Sequence, residues 1–298
     1  MKRTQNSNPW ICAHRGFNII APENTLPAFA LAVSMGAPEI ELDLWPDKDG
    51  HLIVCHDPKV DRTTDGSGMI CDLTASEIKA LDAGSWFSPA YQGIRLPLFE
   101  EVLSLVARRT VLNIHIKTPV AQRVTTDKMK ARGKELGERH SSHAVIMPPL
   151  PVGVEDVIPE IENRPIVPYD ETVFRRIVDA LQRFDCMDYA YITGEADVLT
   201  TARAVATDLP RCCLEGHMNF SIVEHALEYG CQRVQFCKGL TTQAMIDKAR
   251  ANGLICNLFW ADTPEEARAY FDIGIDCVLT NNYQPVAAGL SRLAPESS

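Results

Sequence analysis

The stretch VLNIHIKT (residues 111–118) alternates aliphatic and polar side chains, which is the pattern of a β-strand with two different faces. Alternate residues of a strand share a face, so Asn113, His115 and Lys117 lie together, and the aliphatic side chains between them point the other way. Burial of a lysine costs free energy unless its ammonium group is paired. The polar face of this strand therefore opens either onto water or onto a functional site.

A second strand repeats this arrangement with acidic residues. The sequence EIELDL (39–44) places Glu39, Glu41 and Asp43 on one face and aliphatic residues on the other. Three carboxylates on one face repel one another, and a divalent cation, which prefers hard oxygen ligands, would remove that repulsion. The alternative is an edge strand whose acidic face lies in water.

Short apolar strands alternate with amphipathic helical patterns along the chain, as they do in α/β folds built from βα units. Eight strands separated by helices predict a (β/α)8 TIM barrel. A doubly wound open sheet is the alternative, but no G-x-G-x-x-G sequence follows the first strand. The predicted strands are 10–14, 39–44, 111–117, 189–193, 211–215, 233–236, 254–259 and 277–280, and the predicted helices are 24–35, 99–108, 171–183, 195–207, 220–229, 242–252 and 264–273.

We interpret residues 1–298 as a single barrel domain with two insertions. Residues 58–97 contain the turn sequence TTDGSG and a helical patch, and they predict a small insertion after the second strand. Residues 119–169 predict an extra insertion after the third strand, with a charged helical stretch followed by a proline-rich one. Because this segment leaves the C-terminal end of a barrel strand, we expect either a lid over the site or an oligomer contact.

The composition is that of an ordinary globular protein, with 46% hydrophobic and 23% charged residues. The formal net charge of −10 argues against a nucleic-acid partner, which usually binds a basic surface. No apolar run approaches the ~20 residues of a membrane span, and the N-terminus lacks the apolar stretch of a signal peptide. The ten cysteines include no C-x-x-C pair, so we expect reduced thiols and a cytoplasmic location.

Further candidate groups follow the predicted strands. His14 and Arg15 come at the end of the first strand, and His56 follows the apolar run LIVC (52–55). Each has an ordinary interpretation as a strand-end residue in water, a turn residue or a buried core histidine, and Lys117 could extend into solvent. Barrels place catalytic groups at the C-terminal ends of their strands, so the coincidence of these residues there favours one functional site.

A set of short motifs occurs in a fixed order along the chain. They are HRG (14–16), PENT (22–25), E-x-D (41–43), HD (56–57), DRTTDGSG (61–68), LPLFEEVL (96–103), NI-x-IK (113–117), LFWADTPEEA (258–267) and DIGIDCVLTN (272–281). In this order and spacing, the motifs resemble those of the glycerophosphodiester phosphodiesterase family. The resemblance implies a TIM barrel, metal-dependent hydrolysis of a phosphodiester, and a role in lipid metabolism.

The resemblance also implies roles for the residues that match the motifs. These are a general acid and base pair (His14 and His56), two groups that hold phosphoryl oxygens (Arg15 and Lys117), and two metal ligands (Glu41 and Asp43). The chemistry agrees, because an imidazole pKa near neutrality suits proton transfer in both directions. Guanidinium, ammonium and a metal ion can together neutralise the charge of a phosphodiester.

His115 departs from the family pattern, in which a glutamate usually occupies this position and completes the metal site. Three interpretations stay open. As a neutral imidazole ligand, His115 lowers the negative charge of the site and favours Zn²⁺, Mn²⁺ or Fe²⁺ over Mg²⁺ or Ca²⁺. Alternatively, the site binds metal weakly or takes a carboxylate from elsewhere, with Glu215 as the candidate, or the departure marks a different substrate or lost activity.

Three more residues are accessory candidates. Glu23 either orients Arg15, ligates the metal or only begins a helix. His217 lies near the end of the fifth strand, where a surface loop histidine is the ordinary interpretation. Trp260, at the end of the seventh strand, packs either beside the substrate's alcohol moiety or against a loop.

The leading functional hypothesis is an enzyme that hydrolyses glycerophosphodiesters, or a related small phosphodiester, to a phosphomonoester and an alcohol. A second hypothesis is a lyase, in which a hydroxyl of the substrate displaces the alcohol and leaves a cyclic phosphate. The third is a non-catalytic phosphate-binding or scaffold protein with an altered metal site. The expected partners are the small diester substrate and, through residues 119–169, a second copy of the chain.

Overall fold

Eight parallel strands close into a barrel in the computed structural model, which describes residues 10–118 and 163–293. They are β1 (Trp10–Ala13), β2 (Glu39–Pro46), β4 (Val111–Ile116), β5 (Ala190–Gly194), β6 (Arg211–Cys213), β7 (Arg233–Cys237), β8 (Ile255–Phe259) and β9 (Cys277–Thr280). β1 pairs with both β2 and β9, which closes the ring. A short strand, β3 (Leu52–Val54), runs antiparallel to the end of β2. The predicted (β/α)8 barrel is confirmed.

Helices lie between the barrel strands and after the last of them. They are α1 (Leu26–Ser34), α2 (Ala75–Ala80), α3 (Phe99–Val106), α4 (Glu171–Arg183), α5 (Ala196–Val205), α6 (Ile222–Glu228), α7 (Gln243–Ala251), α8 (Pro264–Asp272) and α9 (Tyr283–Leu293). The side chains of Asp170, Thr242 and Thr263 each accept a hydrogen bond from a backbone N–H of the first turn of α4, α7 and α8. Such caps satisfy donors that the helix itself leaves unpaired, which explains why these helices begin where they do.

Several predicted elements are shorter in the structure than in the sequence interpretation, and two of these differences bear on the candidate site. The first helix begins at Leu26 instead of residue 24, because Asn24 adopts a left-handed conformation with φ of +55° and its side chain hydrogen-bonds to Asp43. The strand predicted over 211–215 ends at Cys213. Beyond it, the Glu215 carboxylate accepts a hydrogen bond from the backbone N–H of Ala196. Both differences place side chains at the C-terminal end of the barrel.

The two faces of β2 separate the hydrophobic core from the barrel interior. Ile40 and Leu42 are fully buried in the main core with side chains from the surrounding helices. On the other face, Glu39, Glu41 and Asp43 are also fully buried, and Glu39 Oε1 accepts a hydrogen bond from Tyr191 of β5. The acidic face of β2 therefore lies inside the barrel and not on a solvent-facing edge.

The segment that follows β3 has a small hydrophobic core of its own. It contains α2 and two short 3-10 helices, Ile70–Asp72 and Pro89–Tyr91. Its core is formed by Trp45, Ile53, Cys55, Val60, Ile70, Ile78, Ala83 and Leu96. This packing explains how residues 58–97 form an ordered excursion between β3 and α3. For the second predicted insertion, residues 119–162 lie outside the described part of the chain, and residues 164–170 have no regular secondary structure.

The sequence predicts no membrane span and reduced cysteines, and the described residues can be compared with both expectations. None of the described helices is long and apolar enough to cross a membrane. All ten cysteines fall within the described ranges, and the structure joins none of them in a disulfide.

Candidate active site

The candidate metal ligands come from two neighbouring strands. β2 and β4 pair in parallel, with Asp43 opposite His115 and Glu41 opposite Asn113. Glu41, Asp43 and His115 each offer one ligand atom, and these atoms all lie within 4.8 Å of one another. Both carboxylates are fully buried, and His115 is 9% exposed. The three side chains form a compact set of two oxygen donors and one nitrogen donor.

Buried polar atoms of this cluster lack hydrogen-bond partners. Within residues 10–118 and 163–293, no hydrogen bond reaches Glu41 Oε1 or His115 Nε2. His115 Nδ1 lies 3.4 Å from the same Glu41 oxygen. A buried donor or acceptor that is left unsatisfied costs about 1–3 kcal/mol. A divalent cation would satisfy carboxylate and imidazole atoms together, so the donors that are present fit a metal site.

Three groups hold Asp43 in place. Asn24 Nδ2 donates to Asp43 Oδ2 at 2.8 Å, Lys117 Nζ lies 2.8 Å from Oδ1, and Arg15 Nε lies 3.7 Å from Oδ2. Burial raises the pKa of Asp43, but the charges of Lys117, His56 and Arg15 outweigh that effect and keep the pKa below its ordinary value. Asp43 is therefore a carboxylate anion in the folded protein.

The other two members of the cluster are shifted towards their neutral forms. Burial, reinforced by the charge of Asp43, raises the pKa of Glu41 well above its ordinary value. Burial, reinforced by Lys117, lowers the pKa of His115 well below its ordinary value. The neutral imidazole is the form of histidine that ligates metals. Because a bound cation favours the charged carboxylate, it would reverse the shift of Glu41.

His14 has a fixed orientation at the end of β1. Its Nδ1 lies 2.7 Å from Asn281 Oδ1, and Asn281 Nδ2 donates to Asp262 Oδ2 at 3.1 Å. Since the amide nitrogen of Asn281 is committed to Asp262, its oxygen must accept from His14, and the proton of a neutral His14 lies on Nδ1. His14 Nε2 is thus the unprotonated nitrogen, 3.8 Å from Glu41 Oε2. Burial, together with the charge of Arg15, lowers the pKa of His14 to about 4.

His56 has a different partner and a different exposure. Its Nδ1 lies 2.7 Å from Asp57 Oδ1, and 36% of its side chain is exposed. Burial lowers the pKa of His56 below its ordinary value, and the charge of Asp43 and the hydrogen bond to Asp57 oppose this effect without cancelling it. A carboxylate stabilises an imidazolium cation more than an amide does, so His56 is better suited than His14 to carry a proton.

Two cationic side chains border the ligand cluster. Arg15, which has φ of +55°, donates its backbone N–H to Glu41 Oε2 at 2.9 Å and directs its guanidinium past Asp43. Lys117 continues from β4 and pairs with Asp43. A non-glycine residue with positive φ is uncommon and often marks a functional site. The two cations lie beside Asp43, one of the predicted metal ligands.

Glu23 contacts arginines and is not part of the ligand cluster. Arg15 Nη1 lies 2.8 Å from Glu23 Oε1, and Arg62 Nη2 lies 2.7 Å from the same oxygen. Arg62 also donates to Asp57, the partner of His56. Of the three interpretations of Glu23, this geometry corresponds to the orientation of Arg15.

Glu215 does not contribute a carboxylate to the cluster. Its Oε2 lies 2.8 Å from Arg164 Nη2 and accepts a hydrogen bond from Ala196 N, also at 2.8 Å. Arg164 is buried and also pairs with Asp197 at 2.8 Å. This ion-pair network at the ends of β5 and β6 holds Glu215 among protein groups, apart from Glu41, Asp43 and His115.

The last two accessory candidates lie beside the site and outside its ligand set. His217 Nδ1 lies 2.8 Å from the carbonyl oxygen of Leu214, in the loop after β6. Trp260 packs against Phe259, whose ring lies 4.8 Å from that of His14. Trp260 also lies under the ammonium group of Lys238, which is 5.6 Å from its ring centre. The tryptophan contacts protein groups on the side of the site near His14.

Several supporting residues were missed as functional candidates although they lie inside the quoted motifs. They are Asn24 of PENT, Asp57 of HD, Arg62 of DRTTDGSG, Asp262 of LFWADTPEEA and Asn281 of DIGIDCVLTN. Each contacts a candidate residue or the partner of one. Turn residues of these types are common, and their contacts span up to 267 positions in sequence, so spacing alone gave no signal.

The chain shares sequence similarity with known phosphodiesterases in its N-terminal part. Residues 14–144 match the glycerophosphoryl diester phosphodiesterase family. The Bacillus subtilis protein YhdW is 51% identical over 108 residues, which cover 36% of this chain and 44% of that protein. A glycerophosphodiester phosphodiesterase of Caldanaerobacter subterraneus is 48% identical over 111 residues, which cover 37% of this chain and 46% of the relative. The chain therefore spans less than half the length of these curated relatives.

Solved structures resemble the chain over nearly its whole length. A phosphodiesterase of Oleispira antarctica, determined in complex with its product sn-glycerol-3-phosphate, has a TM-score of 0.72 and 22% identity and covers 95% of this chain and 97% of its own. A glycerophosphodiester phosphodiesterase of Thermotoga maritima has a TM-score of 0.63 and 16% identity, with 97% and 100% covered. At these identities the likeness shows the barrel fold alone. Residues 14–144 are therefore similar to the glycerophosphoryl diester phosphodiesterase family.

Proposed function

We propose that the protein is a metal-dependent phosphodiesterase that hydrolyses glycerophosphodiesters to a phosphomonoester and an alcohol. The observation that supports this most is the convergence of Glu41, Asp43 and His115 next to two cations and two histidines. The relative from Caldanaerobacter subterraneus is named a glycerophosphodiester phosphodiesterase, which supports the proposed reaction. The sn-glycerol-3-phosphate bound to the Oleispira antarctica phosphodiesterase is a phosphomonoester, as the proposal expects of the product.

Glu41, Asp43 and His115 would hold one divalent ion. Bound there, the ion would supply a Lewis acid for a phosphoryl oxygen. His115 supplies an imidazole where the family pattern has a carboxylate. We therefore expect Mn²⁺, Zn²⁺ or Fe²⁺ to bind more tightly than Mg²⁺ or Ca²⁺.

Arg15 and Lys117 would bind the non-bridging oxygens of the diester. The guanidinium group matches two oxygens at once, whereas the ammonium group acts as a compact charge. Glu23 fixes Arg15 at 2.8 Å, and Asp43 fixes Lys117 at 2.8 Å. Both cations are therefore held in place before the substrate arrives, which lowers the entropy cost of ordering them.

The two histidines would divide the proton transfers. His14 keeps Nε2 unprotonated through its hydrogen bond to Asn281, so it takes the proton of the attacking water. His56, whose imidazolium form Asp57 stabilises, would take up a proton and give it to the leaving alkoxide. The P–O bond to the attacking water forms and the P–O bond to the leaving alcohol breaks, and the enzyme ends with His14 protonated and His56 neutral. Proton exchange with water restores the starting state.

A reducing, cytoplasmic setting and a role in the breakdown of lipid-derived diesters form part of this proposal. The ten thiols support the setting, because eight of them are buried and would be protected in their reduced form.

A screen of metals against substrates tests the function. Metal-free protein is supplied in turn with Mg²⁺, Ca²⁺, Mn²⁺ and Zn²⁺, each with glycerophosphocholine, glycerophosphoethanolamine and an artificial diester. We expect phosphorus NMR to show a phosphomonoester in the presence of Mn²⁺ or Zn²⁺. A cyclic phosphate as the end product would show the lyase reaction instead, and no turnover under any condition would contradict the proposal.

A further inference from the structure

Arg62, in the excursion after β3, joins two carboxylates with a forked contact to each. Its Nη1 and Nη2 donate to the two oxygens of Glu23 at 3.0 and 2.7 Å. Its Nε and Nη2 donate to the two oxygens of Asp57 at 2.6 and 3.1 Å. The planar guanidinium group has the five N–H donors that such a double fork requires, and a lysine ammonium group does not.

Each of these two carboxylates also contacts a residue of the proposed active site. Glu23 Oε1 is shared between Arg62 and Arg15, which lies 2.8 Å away. Asp57 Oδ1 is shared between Arg62 and His56 Nδ1, 2.7 Å away. A continuous chain of contacts therefore runs from the phosphate-binding arginine to the proton-carrying histidine, and Arg62 is its central link.

The position of Arg62 argues for a role other than stability. Its side chain is 43% exposed, while those of Glu23 and Asp57 are 14% and 28% exposed. Exposed ion pairs contribute little to folding free energy. The same contacts still fix geometry, since the two forks allow the guanidinium group one orientation between the carboxylates. Burial opposes the charged form of Asp57, but Arg62 and His56 outweigh it and lower the pKa of Asp57 to about 2.

We propose that Arg62 is a positioning residue that sets the phosphate-binding group and the acid histidine relative to each other. The inference rests on the proposed function of the site. If Arg62 is lost, the side chain of Glu23 keeps Arg15 and that of Asp57 keeps His56 as its one ionic partner within the described part of the chain, so each pair moves without the other. Arg15 then binds the diester in a less defined position, and His56 no longer lies reliably beside the leaving oxygen.

The first test compares three single variants of the whole chain. Arg62→Gln should raise KM and lower kcat, with kcat/KM reduced about tenfold to a hundredfold, as is typical for residues that orient catalytic groups. Arg62→Lys keeps the charge without the double fork, so it should stay within about threefold of Arg62→Gln. Arg95→Gln is the matched control, because Arg95 lies in the same excursion, is exposed and, among the described residues, donates only to the carbonyl oxygen of Ala80. Its kinetics should equal those of the wild type, and circular dichroism should show that all three variants are folded.

A double-mutant cycle separates positioning from a general loss of structure. With Arg62 present, Glu23→Gln and Asp57→Asn should be coupled, so that their combined effect on kcat/KM differs from the product of the single effects by about threefold or more. In the Arg62→Gln background the effects should simply multiply. Coupling that survives without Arg62, full activity of Arg62→Lys, or unchanged kinetics of Arg62→Gln would each overturn the inference. A wild-type protein that hydrolyses no diester would instead contradict the proposed function.

Discussion

Asp43 and His115 are register partners on the adjacent parallel strands β2 and β4. Their side chains lie on the same inner face of the barrel, where Glu41 completes a group with ligand atoms within 4.8 Å of one another. The pairing explains how a histidine can occupy this position without disturbing the fold. In the proposed metal site, the chemical identity of residue 115 would set the metal preference.

The first prediction concerns this determinant. His115→Glu restores a third carboxylate, so the hardness and negative charge of the ligand set both increase. We expect affinity for Mg²⁺ and Ca²⁺ to rise and the preference for Zn²⁺ and Mn²⁺ to fall, by about tenfold in the affinity ratio. Isothermal titration of the metal-free protein measures this without turnover. His217→Glu is the control, because His217 contacts a backbone carbonyl outside the cluster. An unchanged metal profile of His115→Glu would show that His115 is not a ligand.

The second prediction separates the acid from the base. His14→Ala and His56→Ala should each lower kcat by about a hundredfold to ten-thousandfold. A nitrophenolate leaving group needs no proton, so an artificial diester with that group should rescue His56→Ala and leave His14→Ala impaired. The control is His51→Ala, which alters an exposed turn histidine paired with Asp47. Equal losses of both variants on both substrates would contradict the assignment of roles.

The third prediction concerns the amide that fixes His14. Asn281→Ala removes the acceptor of His14 Nδ1–H and lets the proton move to Nε2, so we expect kcat to fall about tenfold to a hundredfold with little change in KM. Nitrogen-15 NMR of the imidazole should show a loss of the Nδ1–H tautomer. Asn282→Ala is the control, because the Asn282 amide donates to the backbone oxygen of Asp262. A variant that keeps wild-type kcat would show that His14 is oriented by other contacts.

The fourth prediction links Glu41 to stability. Burial and Asp43 raise the pKa of Glu41 in the folded state. Its favourable contribution is therefore fully present below the unfolded-state pKa of about 4.3 and is lost as pH rises through the folded-state value. In metal-free protein, Glu41→Gln should be more stable than the wild type at pH 8, and the difference should shrink towards pH 4.

Thermal unfolding with and without a chelator measures this difference. Added Mn²⁺ should raise the midpoint of the wild type and have a much smaller effect on Glu41→Gln. Glu100→Gln, at a side chain that is 53% exposed, should follow the wild type at every pH. A metal-free Glu41→Gln protein that is less stable than the wild type at pH 8 would contradict the view that Glu41 is held there at a cost.

The sequence predicted the barrel because the patterns that indicate strands and helices are local and repeat along the chain. Alternation along β2 and β4 identified an inward polar face, and the strand predicted over 277–280 matches β9. Glu41, Asp43 and His115 lie together because the carboxyl ends of parallel strands share one end of a barrel, which follows from the fold class.

The contacts that orient the candidate catalytic residues could be found only from the three-dimensional structure. Asn281 meets His14 only because β9 closes the ring beside β1. Arg62 reaches Glu23 across 39 residues of sequence, which no pattern of spacing indicates. The pairing of Glu215 with Arg164 spans 51 residues of sequence and involves the segment 119–169, for which the sequence predicts only a lid or an oligomer contact.

The most direct test of the account is the position of a bound metal. Crystals grown with Mn²⁺ or Zn²⁺ and measured at the absorption edge of the metal should show an anomalous peak in contact with Glu41, Asp43 and His115. A map with these three side chains apart and no peak between them would contradict the metal site and the mechanism that depends on it.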